Sequence, residues 1–169
     1  MRFLTERDTE DDAPIARLAD RMDYEDVRES QDCVISVHYN EIDLGATPYG
    51  FDQPFVGDEA NLYFERMKAF SGMSVNGIID KGVRSWHFRR TGIKGNIKKV
   101  FDGIDPGIAK ANPMIFHFAL DPECKAEASR ATGVRNARIY FMVGYNGMIH
   151  PLFFDPYHEL NPIPDLYGK

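Results

Sequence analysis

Little in this chain narrows its function quickly. Two cysteines, Cys33 and Cys124, supply neither a disulfide framework nor a CxxC pair, so a reducing, cytoplasmic compartment is the expectation. No apolar run reaches the roughly 18 residues of a membrane span. The opening MRFLTERDTEDD has no apolar signal-peptide core, so secretion is not expected either. HExxH, histidine or cysteine pairs at zinc-ligand spacing and calcium-loop patterns are all missing, and no metal is expected. Neither GxGxxG nor a P-loop occurs, and GIKGNIKK lacks the strand, turn and helix context that a phosphate loop needs, so no cofactor is expected. Ser85 has no acid at a triad spacing, which leaves a serine hydrolase without support.

What is present is aromatic and unevenly charged. Twelve Phe and eight Tyr suit an aromatic core, and 169 residues fit one domain over 1–169. The net charge of −6 hides a division: residues 1–32 carry eleven acids against five arginines, whereas KGVRSWHFRRTGIKGNIKK, residues 81–99, carries seven Lys or Arg and no acid. Residues 1–12 form an acidic leader with no signal for an element, and flexibility is open there.

Periodicity orders the rest. Asp12, Pro14, Ile15, Leu18 and Met22 predict a short amphipathic helix over about 13–28. CVISVHYN alternates, with Cys33, Ile35, Val37 and Tyr39 on one side and Ser36, His38 and Asn40 on the other, as in a half-buried strand. GATPYGFDQPFVGD reads as a loop whose aromatics tuck against the body. DEANLYFERMKAFSG predicts a helix with Asp58 as cap, Tyr63, Met67 and Phe70 on its buried face and Gly72 as a left-handed C-terminal cap. Ser74 caps a shorter turn before the basic strand VRSWHFRR. Residues 91–112 are punctuated by glycine and receive no element, and MIFHFAL then alternates as a central strand.

The C-terminal pattern is the sharpest. Asn146-Gly147 between two alternating runs predicts a hairpin with a two-residue type I′ turn. That turn sets Val143 against His150, Phe141 against Leu152 and Ile139 against Phe154, with Met142 against Pro151, Tyr140 against Phe153 and Arg138 against Asp155 on the opposite surface. Pro151 then points its missing N–H away from its hairpin partner, so 148–154 is a sheet edge there or its outer neighbour stops short. The fold class expected is α+β: an antiparallel sheet of about four to five strands, two or three helices on one face, and a C-terminal β-hairpin.

Chemistry falls to five histidines and the basic segment. His87 shares strand parity with Arg89, whereas Trp86, Phe88 and Arg90 share the other; a Ser, His and Arg side beside an aromatic side suits phosphate. His150 is expected among Val143 and Phe141 as a core histidine. His117 lies opposite the large apolar face of its strand. Asp155 can pair with Arg138, and His158 follows after the turn set by Pro156.

Two blocks, LYFERMKAFSGMSVNGIIDKGVRSWHF and FHFALDP with ARIYFMVGYNGMIHPLFFDPYHELNP, resemble a loosely defined group of small uncharacterised bacterial proteins carried by phages, plasmids and other mobile elements. The resemblance implies the product of an accessory gene, such as a mobile gene cassette, and brings across no reaction and no catalytic residue.

Two functions are compatible with these signals. The first is a non-catalytic accessory protein acting through self-association as a homo-oligomer or through a protein partner, using the edge strand and the aromatics. The second is a metal-independent endoribonuclease of the toxin type, with His87 and His158 as acid and base and Arg89 beside them as catalytic residues. Arg90, Lys94, Trp86, His117 and Asp155 would then bind, and nucleic acid would lie along residues 81–99. Convergence of His87, His117 and His158 near Arg89 favours the enzyme.

Overall fold

In the computed structural model of the protein, the described residues are 33–39, 48–78, 86–104, 113, 115–121, 123, 127–144 and 147–162. The acidic leader, the helix expected over about 13–28, the basic residues 81–85 and Asn146 lie outside them.

Among the described residues five strands form one sheet: β1 (Ser36–Val37), β2 (Arg89–Thr91), β3 (Ile115–Ala119), β4 (Arg138–Val143) and β5 (Met148–Asp155), in the order β1-β5-β4-β3-β2. The α+β class and the C-terminal hairpin agree with the sequence reading. The sheet is mixed, however, not purely antiparallel, because β1 runs parallel to β5 with Ser36 opposite Met148 and Val37 opposite Ile149. Strand periodicity sets which side chains share a face and is silent on strand direction, so alternation in CVISVHYN could not show this.

β1 also stops where Pro151 requires. The His38 N–H donates to the Ile149 carbonyl (2.9 Å), and the pairing ends there. The next outward N–H along β5 would be that of residue 151, and proline has none. The Phe154 N–H is taken instead by the Tyr49 carbonyl at 2.8 Å, from the loop whose Tyr49, Phe51 and Phe55 pack on the core as expected.

Among the described residues the helices are α1 (Glu59–Phe70) and α2 (Gly95–Ile104), with a short helical turn at 75–78 whose Gly77 N–H donates to the Ser74 hydroxyl at 3.1 Å. α1 buries Tyr63, Met67 and Phe70 as its spacing predicts. Asp58 precedes it without a side-chain cap bond; its carboxylate instead takes the Asn61 amide at 2.7 Å. Gly72 is not left-handed: Ser71 ends the helix in the right-handed region, and Gly72 and Met73 donate to the Ala69 and Phe70 carbonyls, a tightened last turn that meets those carbonyls without a positive φ.

α1 and α2 cover opposite faces of the sheet, where the sequence reading put the helices on one. Phe70 of α1 packs on Phe118 (5.1 Å) and Phe141 (5.8 Å), whereas Phe101 of α2 packs on Phe153 at 5.4 Å. Register ties Phe118, Ile139 and Phe154 to one face and His117, Tyr140 and Phe153 to the other. Both faces being covered explains why every residue of β3 and β4 is buried.

The hairpin register holds at one end and slips at the other. Arg138, Ile139 and Tyr140 face Asp155, Phe154 and Phe153 as predicted, but Phe141, Met142 and Val143 face Pro151, His150 and Ile149. The Gly144 N–H donates to the Met148 carbonyl at 2.7 Å, which leaves three connecting residues, 145–147, in place of two. Gly147 closes the connection with φ +71°, the left-handed glycine typical of a three-residue hairpin loop. The extra loop residue displaces the near register by one, and a bulge that leaves Leu152 without a partner in β4 restores the far register. His150 therefore shares a face with Met142 and not with Val143 and Phe141. It is buried nonetheless, with its ring 5.6 Å from that of His38.

Candidate functional site

The α2 face of the sheet carries a polar cluster in an otherwise aromatic core. β2 places Arg89 directly opposite His117 of β3, and β4 places Tyr140 on its other side. Parity along β2 keeps Arg89 on this face and turns Arg90 toward Phe116 on the other. Phe88 packs on Phe116 at 5.1 Å on that other side, as the division into a His/Arg side and an aromatic side requires.

His117 is almost fully buried. Its Nδ1 lies 2.6 Å from the Thr91 hydroxyl, its ring is 5.1 Å from Tyr140, and the His158 ring stands 6.0 Å away. Burial, reinforced by the positive fields of His158, Arg138, Arg89 and His87, pushes its pKa down to about 3. The imidazole is therefore neutral near pH 7, and Thr91 fixes which nitrogen looks toward the rest of the cluster.

His158 comes from the turn after β5. Burial, with Arg138 and His87 adding positive charge, lowers its pKa to about 4. Its Nε2 is buried and has no hydrogen-bond partner among the described residues. His87 completes the group from the segment leading into β2; its charge acts on both other histidines. Among the described residues His87 (φ +50°) and His158 (φ +60°) are the non-glycine residues in the left-handed region. Such a conformation costs an imidazole-bearing residue about 1 kcal/mol or more, and it persists where surrounding contacts over-determine it.

Arg138 is fully buried in β4, opposite Asp155 in register. Asp155 is itself without exposure: Oδ1 accepts the Tyr157 N–H at 3.2 Å and Oδ2 the Leu160 N–H at 2.7 Å. Burial raises its pKa, and those backbone N–H groups oppose the rise. Tyr140 is raised chiefly by burial, so its phenol stays protonated and can only donate or accept a hydrogen bond as the neutral group.

Of the residues singled out from sequence, the structure gathers His87, Arg89, His117, Asp155 and His158. It does not bring Arg90 or Trp86 to them. Trp86 packs on Phe70 at 5.3 Å, with the Arg66 guanidinium 4.6 Å over its ring, on the α1 side. Lys94, exposed just before α2, makes its backbone bonds within its own turn, donating to Gly92 and accepting from Lys98. Thr91 and Tyr140 went unnoticed in the sequence because only the β2–β3–β4 register makes them neighbours of His117. Arg138 carried a signal, a charge inside a run of strand hydrophobics, and was read only as a partner for Asp155.

Compared with known protein families, curated proteins and solved structures, the chain matches none. Among the described residues no helix is long and apolar enough to cross a membrane.

Proposed function

We propose that the protein is a metal-independent endoribonuclease that cleaves RNA by acid–base chemistry on the α2 face of the sheet. The carrying observation is the meeting of His87, His117 and His158 beside Arg89 and Arg138, with His87 and His158 both held at positive φ. RNA supplies its own nucleophile, so the protein needs only a base, an acid and a cationic cradle. His158, neutral near pH 7, takes the proton of a ribose 2′-hydroxyl. The 2′-oxygen bonds to the adjacent phosphorus, the P–O5′ bond breaks, and His87 gives a proton to the departing 5′-oxygen. The products are a 2′,3′-cyclic phosphate and a free 5′-hydroxyl. Exposed Arg89 stabilises the negative charge that builds on the phosphorane, buried Arg138 adds only its positive field from beneath, and His117 stays neutral as a hydrogen-bonding wall. Exposed Arg89 in β2 and Lys94, Lys98 and Lys99 at the start of α2 give this side a local positive surface despite the net charge of −6.

Incubation of end-labelled RNA with the protein in EDTA should yield 2′,3′-cyclic phosphate ends. His158→Ala and His87→Ala should each lose about 100-fold or more in rate, the usual worth of a positioned acid or base. RNA left intact by a large excess of wild-type protein would end this reading.

A second reading has its own observation. β1 is a two-residue edge strand flanked by Val34 and Tyr39, which are 66% and 45% exposed, and such an edge suits pairing with a second copy or another protein. In that role the protein serves a mobile element as a non-catalytic accessory, acting through self-association or a protein partner. A stable dimer on this edge should bury more than about 1,000 Å², and a monomer by light scattering at high concentration would remove self-association.

A further inference from the structure

The turn at 156–160, which carries His158, is held from three sides. From the end of β5, the Asp155 carboxylate accepts two backbone N–H groups that straddle His158, those of Tyr157 and Leu160. From the start of α2, the Asn96 amide donates to the Glu159 carbonyl at 2.8 Å. From the segment before β4, the Asn136 N–H donates to the Pro156 carbonyl at 2.9 Å, and Arg130 meets the Glu159 carboxylate at 3.2 Å. Leu160 is buried and anchors the far end. This is far more restraint than a surface turn needs, and its centre is a residue whose backbone is costly to hold. A carboxylate accepting N–H groups on both sides of a left-handed residue removes the extended alternatives that would carry the side chain elsewhere.

We propose that Asp155 is a positioning residue: its buried carboxylate, assisted by the Asn96 amide, holds the 156–160 turn so that His158 keeps its left-handed backbone and its ring stays beside His117. The role of His158 as a base rests on the ribonuclease reading; the placement of its ring does not. Asp155 touches no reacting atom and acts only through the turn. The charged and titratable groups that bear on the cluster are Arg138 from β4, His117 from β3, Arg89 and His87 from β2 and its lead-in, and Glu159 and Tyr49 around Asp155 itself.

The test uses Asp155→Asn, which keeps shape and one acceptor, and Asn96→Ala, which cuts the second tether. Two readouts are taken on the full chain: histidine ring resonances across pH by NMR, assigned with His158→Ala, and RNA cleavage kinetics. In Asp155→Asn the His158 resonance should move and its titration midpoint should rise from about 4 toward 6.5 as the ring is released to solvent. kcat should fall by up to about 100-fold with little change in KM, the signature of a displaced reacting group. Asn96→Ala should shift the resonance and kcat in the same direction by less. A folded Asp155→Asn protein with wild-type His158 resonance, midpoint and kcat overturns the proposal. If Asp155→Asn does not fold, an Asn96→Ala protein with an unmoved His158 resonance overturns it instead. If wild-type protein cleaves no RNA, the ribonuclease reading falls alone, because the resonance arm still decides whether Asp155 places His158.

Discussion

His158 and His117 stand 6.0 Å apart, ring centre to ring centre, although one comes from a tight turn and the other from the middle of a buried strand. Burial depresses both; Arg138 and His87 add to the effect at each ring, and His158 adds to it at His117.

The rate of RNA cleavage should therefore keep its base down to unusually low pH. The active form of His158 is neutral, and its fraction rises with pH through about 4, against 6.5 for an ordinary histidine. The base limb of kcat should fall tenfold per pH unit only below about 4, measured with circular dichroism alongside to separate unfolding. An acid limb centred at 6.5 would assign the base to another group.

Acid should also weaken the fold. With folded values of about 3 for His117 and about 4 for His158, the unfolded chain binds more protons below pH 6.5. Their contribution is then complete above 6.5 and is lost as pH falls through the folded values. At about 1.4 kcal/mol per unit, the two rings are worth on the order of a few kcal/mol between pH 6.5 and 4, less for the partly exposed His158. Asp155, raised by burial, works in the opposite sense from about 3.8 upward. Urea midpoints across this range should drop on acidification, and His117→Phe should flatten the slope.

Two glycines should answer alanine differently. A Cβ at Gly147 would meet the Val34 carbonyl oxygen at 3.0 Å and the Cys33 carbonyl oxygen at 3.1 Å, on a backbone with φ +71°. Gly147→Ala should cost about 1–3 kcal/mol through strain and displacement of β1. At Gly72, outside the left-handed region, the same Cβ finds the Ala69 carbonyl at 3.7 Å. Gly72→Ala should lie within about 1 kcal/mol of neutral or stabilise slightly, with chemical denaturation comparing the pair.

Arg135 clamps the start of α1 to the segment before β4. Its Nε and a terminal nitrogen meet the two Glu59 carboxylate oxygens at 2.7 and 2.6 Å, with the side chains 19% and 13% exposed. Glu59 also takes the Val56 N–H at 2.9 Å. Glu59→Gln should cost about 1–3 kcal/mol, and a double-mutant cycle with Arg135→Met should return a coupling well above that of an exposed pair.

Local periodicity carried what was legible. Tyr63, Met67 and Phe70 in α1, the alternation of β3 and the outer half of the β4–β5 register follow from side-chain spacing alone. α2 was hidden by Gly95 and Gly103, although Ile97, Val100 and Phe101 recur at helical intervals; Gly95 in fact opens the helix at φ +58°. Without α2 nothing in the periodicity gives the sheet a second covered face, so side-chain spacing alone places the helices on one. The site was half visible. His87, Arg89 and His158 could be named from residue type and parity, but the partnership of Thr91 with His117 needs the β2–β3 register, which no turn between those strands encodes. One loop residue beyond the Asn146-Gly147 pair turns His150 to the face of Met142.

That same residue makes β5 two rods joined out of phase at Leu152. The rod beside β1 takes its setting from Gly147, and the rod ending in Asp155 delivers the turn that bears His158. Excising Leu152 would leave Pro151 and Phe153 adjacent and still opposite Phe141 and Tyr140, so the rods would come into step without either one turning over. Phe153 would keep its place against α2, and Asp155 would stay opposite Arg138. A single-codon deletion there would thus straighten the strand and spare the histidine cluster, whereas one extra residue inserted between Phe153 and Asp155 would swing Asp155 to the α1 side and dismantle it.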